Sequence, residues 1–91
     1  GYHIGSVEMK DGKATLRIIG SGTPGIYGIS VFRGSELVAA YRYLLHDGEI
    51  FLKEIDIECN IGDKIQAIIV PINLETKMAS VSTVVYVEER K

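Results

Sequence analysis

Glu54, Asp56 and Glu58 stand at i, i+2 and i+4 in the stretch EIFLKEIDIE, the densest set of acids or candidate ligands in the chain. On a regular strand this spacing puts three carboxylates on one face, opposite Ile55 and Ile57. Three like charges in a row repel, so they need solvent, neighbouring cations or a metal ion. Calcium takes about six to eight oxygens, mostly from loops that wrap it, and a straight strand supplies too few. The expectation is a solvated row paired across strands with Arg17, Arg42, Lys53 or Lys64. No metal or other cofactor is assigned to it.

The remaining reactive side chains are scattered. His3 lies near the N-terminus, and His46 sits beside Asp47 in a turn. Neighbours in extended chain point to opposite sides, so this pair does not align as base and orienting acid. Gly20-Ser-Gly-Thr-Pro-Gly25 repeats glycine but has no Lys-Ser/Thr and no helix after it. It therefore lacks the context of a phosphate loop and reads as a flexible connection, the least constrained stretch of the chain. Cys59 is the one cysteine; an intrachain disulfide is impossible and a zinc set is missing. It reads as a small half-buried side chain near a strand end, with an intermolecular disulfide or a reactive thiol as the alternative. Tyr27, Tyr41 and Tyr43 share a sheet face if their strands pair. Exposed, they would suit a sugar or a protein. With aromatics at 8% and no Trp, cross-strand packing is the stronger expectation. No catalytic constellation is present in this reading, and an enzyme is not expected.

Composition narrows the partners. A 91-residue chain with 46% hydrophobic and 24% charged residues makes one globular domain, residues 1–91. Its net charge of −2 argues against a nucleic-acid binder, which neutralises phosphates with a basic surface. No apolar run approaches the roughly 20 residues of a membrane-spanning helix, so membrane insertion by this segment is not expected. The first residue is Gly1, not Met, which is read as a trimmed N-terminus with room for a leader or anchor upstream. Gln66 is the only Gln, and Asn60 and Asn73 are the only Asn, a thermophile-like profile.

These residues must be held by strands. Asp63–Ile72 is the most apolar run; Ile65, Ala67 and Ile69 alternate with Gln66, Ile68 and Val70, and Pro71 limits pairing at the far end. Entered through Gly62-Asp63, it reads as a central strand. Tyr2–Met9 is the first strand, where a bulge at Gly5 would turn both Ile4 and Val7 inward. Asp11-Gly12 is a turn, and Lys13–Gly20 alternates with Ala14, Leu16 and Ile18 inward. In Ile26–Arg33, Tyr27, Ile29 and Val31 share a face. Glu36–Leu45 fits helical and strand spacing alike; the two-residue Gly34-Ser35 link and the aromatics favour a hairpin strand. In Glu49–Glu58, Ile50 and Leu52 differ in parity from Ile55 and Ile57, which asks for a bulge near Lys53-Glu54. Met78–Glu88 is the last strand.

Seven strands and no long helix predict an all-β, seven-stranded antiparallel sandwich. The order of strand lengths and turns resembles the immunoglobulin-like and fibronectin type III class across nearly the whole chain. That resemblance implies Tyr2–Met9, Lys13–Gly20 and Glu49–Glu58 in one sheet. Ile26–Arg33, Glu36–Tyr43, Lys64–Ile72 and Met78–Glu88 would form the other. Lys64–Ile72 looks like the sixth strand of such domains, with Ile65 where many carry a corner tyrosine. The tryptophan and disulfide pair of antibody domains have no counterpart. The pattern of Ala14–Val31, an alternating strand, then Gly-Ser-Gly, then Ile-x-x-Ile-x-Val, also resembles extracytoplasmic β-sandwich domains of archaeal pilin-like and archaellum-associated proteins. It implies an extracytoplasmic, cell-surface setting.

Met78–Val87 is long, β-branched and free of charge until Glu88. At a sheet edge such a strand would template another chain, so Val81, Thr83, Val85 and Val87 form the candidate interaction edge. The expected function is a non-catalytic structural or protein-interaction module of a surface or filament protein, self-associating through this edge. The alternatives are a carbohydrate- or calcium-binding module, or an accessory domain of a larger enzyme.

Overall fold

The computed structural model describes residues 2–5, 7–11, 13–72 and 81–89. The polar stretch Leu74–Lys77 and the first residues of the expected last strand, Met78–Ser80, lie outside them. The described residues form strands and connections with no helix: β1 (Tyr2–Ile4), β2 (Val7–Lys10), β3 (Lys13–Gly20), β4 (Gly25–Arg33), β5 (Glu36–Leu45), β6 (Phe51–Ile57), β7 (Lys64–Pro71) and β8 (Val81–Glu89). The chain is all-β.

β5 settles the ambiguity of Glu36–Leu45 in favour of a strand. Gly34, at φ 59°, turns the chain back on itself, and β5 pairs with β4 from Arg33↔Glu36 to Gly25↔Leu45. A positive φ at the first central position is what two-residue hairpin turns ask for. Asp11 does the same at φ 54° between β2 and β3, a conformation that Asp tolerates well.

The strands form two layers. β5, β4, β7 and β8 run side by side, every neighbour antiparallel, with β7 between β4 and β8. β6, β3 and β1 make the other layer, also antiparallel. Lys13–Gly20 and Glu49–Glu58 fall in one layer and four segments in the other, as expected, whereas Tyr2–Met9 divides between them; the layering is compatible with a β-sandwich. β2 joins the layers, pairing with β3 on one side and, in parallel, with β8 on the other.

That junction accounts for the awkward first segment. Ile4 and Val7 are both buried although they differ in parity. Two short strands with different partners, not one strand with a bulge at Gly5, let both point inward. The assembly thereby gains a parallel pair and an eighth strand, beyond the seven antiparallel strands expected.

The second parity conflict is resolved differently. β6 pairs with β3 without interruption from Ala14↔Ile57 to Gly20↔Phe51, so the bulge expected near Lys53-Glu54 is absent. Phe51, Ile55 and Ile57 are buried, while Ile50 and Leu52 stay exposed. Phe51 decides this. Its ring centroid lies 4.9 Å from that of Tyr2, 5.9 Å from Tyr27 and 4.3 Å from Tyr43, bridging the layers. These ring contacts together with an unbroken β3–β6 ladder set the parity and leave two aliphatics in solvent. The register shift occurs in β5 instead, where Val38 is the extra residue opposite Val31/Phe32.

The core follows the period of two. Ala14, Leu16 and Ile18 of β3 face Tyr27, Ile29 and Val31 of β4 and Ile65, Ala67 and Ile69 of β7 within one buried cluster.

Candidate interaction surface

The acid row resolves into cross-strand pairs on the outer face of β3 and β6. Arg17 Nη2 lies 3.0 Å from Glu54 Oε1, and Thr15 Oγ1 donates to Asp56 Oδ1 at 2.8 Å. Arg17↔Glu54 and Thr15↔Asp56 are register partners, so strand pairing itself brings these groups together. Glu58 lies past the end of β6, and its carbonyl accepts a hydrogen bond from Arg33 Nη1. Among the described residues no three His, Cys, Asp or Glu side chains converge as a metal would require.

The other candidates do not assemble either. His3 is exposed on β1. The His46 amide donates to Glu49 Oε1 at 3.2 Å and its Nε2 is 3.8 Å from the same oxygen, so its acidic neighbour in space is Glu49 and not Asp47. Cys59 is buried with Sγ 3.5 Å from Met9 Sδ. Burial first, and then Asp63, raise the thiol pKa, while Arg33 opposes them. An open cleft of about 960 Å³ at this end is lined by Lys13, Arg33, Asp56, Cys59, Asp63 and Lys64 among others. It mixes both signs of charge, no His lines it, and its thiol is kept protonated. That is not a nucleophile with a base.

Tyr27, Tyr41 and Tyr43 do share a face, the inner one, because Tyr27↔Tyr43 and Ile29↔Tyr41 are register partners. Tyr27 is buried, Tyr43 packs on the core, and Tyr41 lies under Lys53 Nζ, 4.7 Å from its ring centroid. They form packing, not a platform. The Gly20–Gly25 loop is held down, contrary to the expectation of a loose connection. The Tyr27 hydroxyl donates to the Thr23 carbonyl, and Gly22 lies directly against the Tyr2 hydroxyl, where a Cβ would sit 2.0 Å from the oxygen.

Of the residues expected at the interaction edge, Thr83, Val85 and Val87 point into the fold. Val87 is buried, Thr83 and Val85 are half-buried, and the side chain of Val81 lies outside the described residues. Thr83 Oγ1 accepts from the Ile4 amide at 3.2 Å. β8 is paired with β7 along Val81–Tyr86 and with β2 along Val87–Glu89.

What β8 shows to solvent is its other face, and there the surface is unusual. Leu37 and Leu44 of β5, Val70 of β7, Ile72 just beyond it, and Val84 and Tyr86 of β8 are each between 42% and 59% exposed. The register puts them on one outer sheet face. Ile26↔Leu44, Phe32↔Leu37, Gly28↔Val70 and Gln66↔Val84 are outward-facing pairs. Ile72 is tied in by its amide, which donates to the Ile26 carbonyl at 2.8 Å. Its side chain lies over Gly28. Half-buried Ile26, Phe32 and Ile68 fill the space between them. Formal charge on this face stands at its margins, with Arg42 on the outermost strand and Lys64 and Glu88 at one end.

An antiparallel sheet with one solvated face normally alternates apolar inward and polar outward. The β3/β6 face obeys along Thr15, Arg17, Glu54 and Asp56 and departs only at the Ile19–Leu52 pair, whereas the β5–β4–β7–β8 face departs on every strand. Reading the sequence only for inward residues missed it. The available signal was the second parity: Ile68 and Val70, Val84 and Tyr86, Ile26 and Phe32 are apolar where polar residues belong.

Searches of protein-family models, of curated proteins and of solved structures find no match to this chain. The functional reading therefore rests on the geometry of this surface.

Proposed function

We propose that the chain is a non-catalytic protein-interaction module, an immunoglobulin-like sandwich whose working surface is the outer face of β5–β4–β7–β8. The contrast between the two outer faces carries this reading. One carries the cross-strand pairs Arg17–Glu54 and Thr15–Asp56 beside a single outward apolar pair, Ile19–Leu52. The other exposes on the order of 600 Å² on six apolar side chains, the upper end for the largest patch of a monomer. An apolar centre with charge at the rim is the anatomy of a protein interface. The immunoglobulin-like assignment is supported by the strand partition and by the first segment, which is shared between both layers. The protein contact expected through Val81, Thr83, Val85 and Val87 is proposed instead on this face, to which β8 contributes Val84 and Tyr86. A surface or filament protein is the setting in which such a module would work.

The test is site-specific photo-crosslinking in the native cells. A photoreactive residue at position 44 or 84 is expected to yield discrete protein adducts, and one at position 52, on the opposite face, none. Absence of adducts from 44 and 84, or equal adducts from all three, would overturn the reading.

A further inference from the structure

We infer that the occupant of this face is a second copy of the chain, packed sheet on sheet about a two-fold axis. The inference rests on the interaction reading above and names the partner. Three observations carry it. The first is area. The six exposed apolar side chains, with half-buried Ile26, Phe32 and Ile68 and the polar margin, bring the face to about 800 Å², what each partner contributes to a stable interface of ordinary size.

The second is charge. The interior of the face (Ile26, Gly28, Ser30, Phe32, Ile68 and Val84) holds no formal charge. An acidic or basic partner would find nothing there to pair with. An identical uncharged face leaves no charge buried and unpaired. Arg42 lies on β5, the outermost strand, and Lys64 is the first residue of β7, so both stand at the border of the face, where a polar rim belongs.

The third is the state of the margins. β6 carries Lys53 on its inward parity and Glu54 and Asp56 outside; β5 carries the bulge at Val38; β8 already pairs with β2 at its end. Bulges and inward-pointing charges are how sheets discourage strand addition. With the edges guarded, the flat face is the surface open to a second molecule. Two twisted sheets stack face to face at about 30° with strands nearly aligned, so one patch serves both copies.

The experiment is light scattering over a concentration series on the wild type, Leu44→Lys, Val84→Lys and the opposite-face control Leu52→Lys, with circular dichroism to verify folding. The wild type is expected to reach twice the 10.0 kDa monomer mass. Either face substitution enters the interface twice and is expected to weaken the dimer at least tenfold, while Leu52→Lys leaves it unchanged. A wild type that stays monomeric overturns the inference, as does a dimer insensitive to both face variants or equally sensitive to the control. If the wild type is monomeric but crosslinks from position 84 reach a different protein, only the second-copy inference falls. If there are no crosslinks either, the interaction reading falls with it.

Discussion

The contact between Gly22 and Tyr2 makes a quantitative prediction about how the Gly20–Gly25 loop is held. A methyl group on Gly22 would lie 2.0 Å from the Tyr2 oxygen and 3.1 Å from Cζ. The ring cannot easily withdraw, because it packs edge-on against Phe51 and Tyr27. Forcing an extra methyl into a packed site costs about 1–3 kcal/mol, so Gly22→Ala is expected to destabilise by that much. The same hydroxyl oxygen is buried and makes no hydrogen bond of ordinary geometry, the neighbouring Tyr27 hydroxyl being turned toward the Thr23 carbonyl. An unsatisfied buried hydroxyl costs about 1–3 kcal/mol, so Tyr2→Phe is expected to be neutral or to stabilise by about 1 kcal/mol. Removing the oxygen also removes the closest clash, leaving Cζ at 3.1 Å. Gly22→Ala in the Tyr2→Phe background should therefore cost at least about 1 kcal/mol less than alone, a coupling that a double-mutant cycle isolates. The assay is equilibrium urea unfolding, supported by melting temperature, where about 1 kcal/mol moves a domain of this size by about 4–8 °C. Equal costs of Gly22→Ala in both backgrounds would refute the contact. A Tyr2→Phe variant destabilised by more than about 1 kcal/mol would refute the unpartnered hydroxyl.

The same tyrosine sets a pH dependence. Burial, assisted by Tyr27, raises the Tyr2 pKa far above the ordinary tyrosine range. Stability from keeping it neutral is present below the unfolded pKa of about 10 and is lost as pH rises above it. Tyr2→Phe should accordingly gain on the wild type in urea titrations from pH 9 to 11 (about one unit either side of the unfolded value), and a constant difference would contradict this. Lys53→Leu removes an inward-pointing cation from the free margin of β6. Its melting temperature should change little, since the ring contact is worth about 0.5–1 kcal/mol, but turbidity on heating should rise as the edge loses its guard. Native Cys59 should react with a disulfide reagent at pH 8 many times more slowly than in the urea-unfolded chain, because burial and Asp63 hold the thiol protonated; equal rates would place the sulfur in solvent.

Strand existence was legible wherever a period of two ran unbroken. Lys13–Gly20 and Lys64–Ile72 bury the residues that their alternation nominates. Parity failed where two runs disagreed, because a bulge is only one of several remedies. At Ile4 and Val7 the remedy was a change of sheet, and at Phe51 it was the exposure of Ile50 and Leu52. Each choice depends on partners distant in sequence. The candidate site behaved in the same way. The acids at 54 and 56 were visible as a row, but pairing with Arg17 and Thr15 required the β3–β6 register.

The sequence by itself determined the class of the fold, because alternation, β-branched content and turn residues are local properties of the chain. Tertiary structure decided which face each strand shows to water. Four strands, each modestly apolar on its second parity, become one continuous apolar face only when registration sets those residues side by side, since an apolar patch is a sum over neighbours and no single strand contains it.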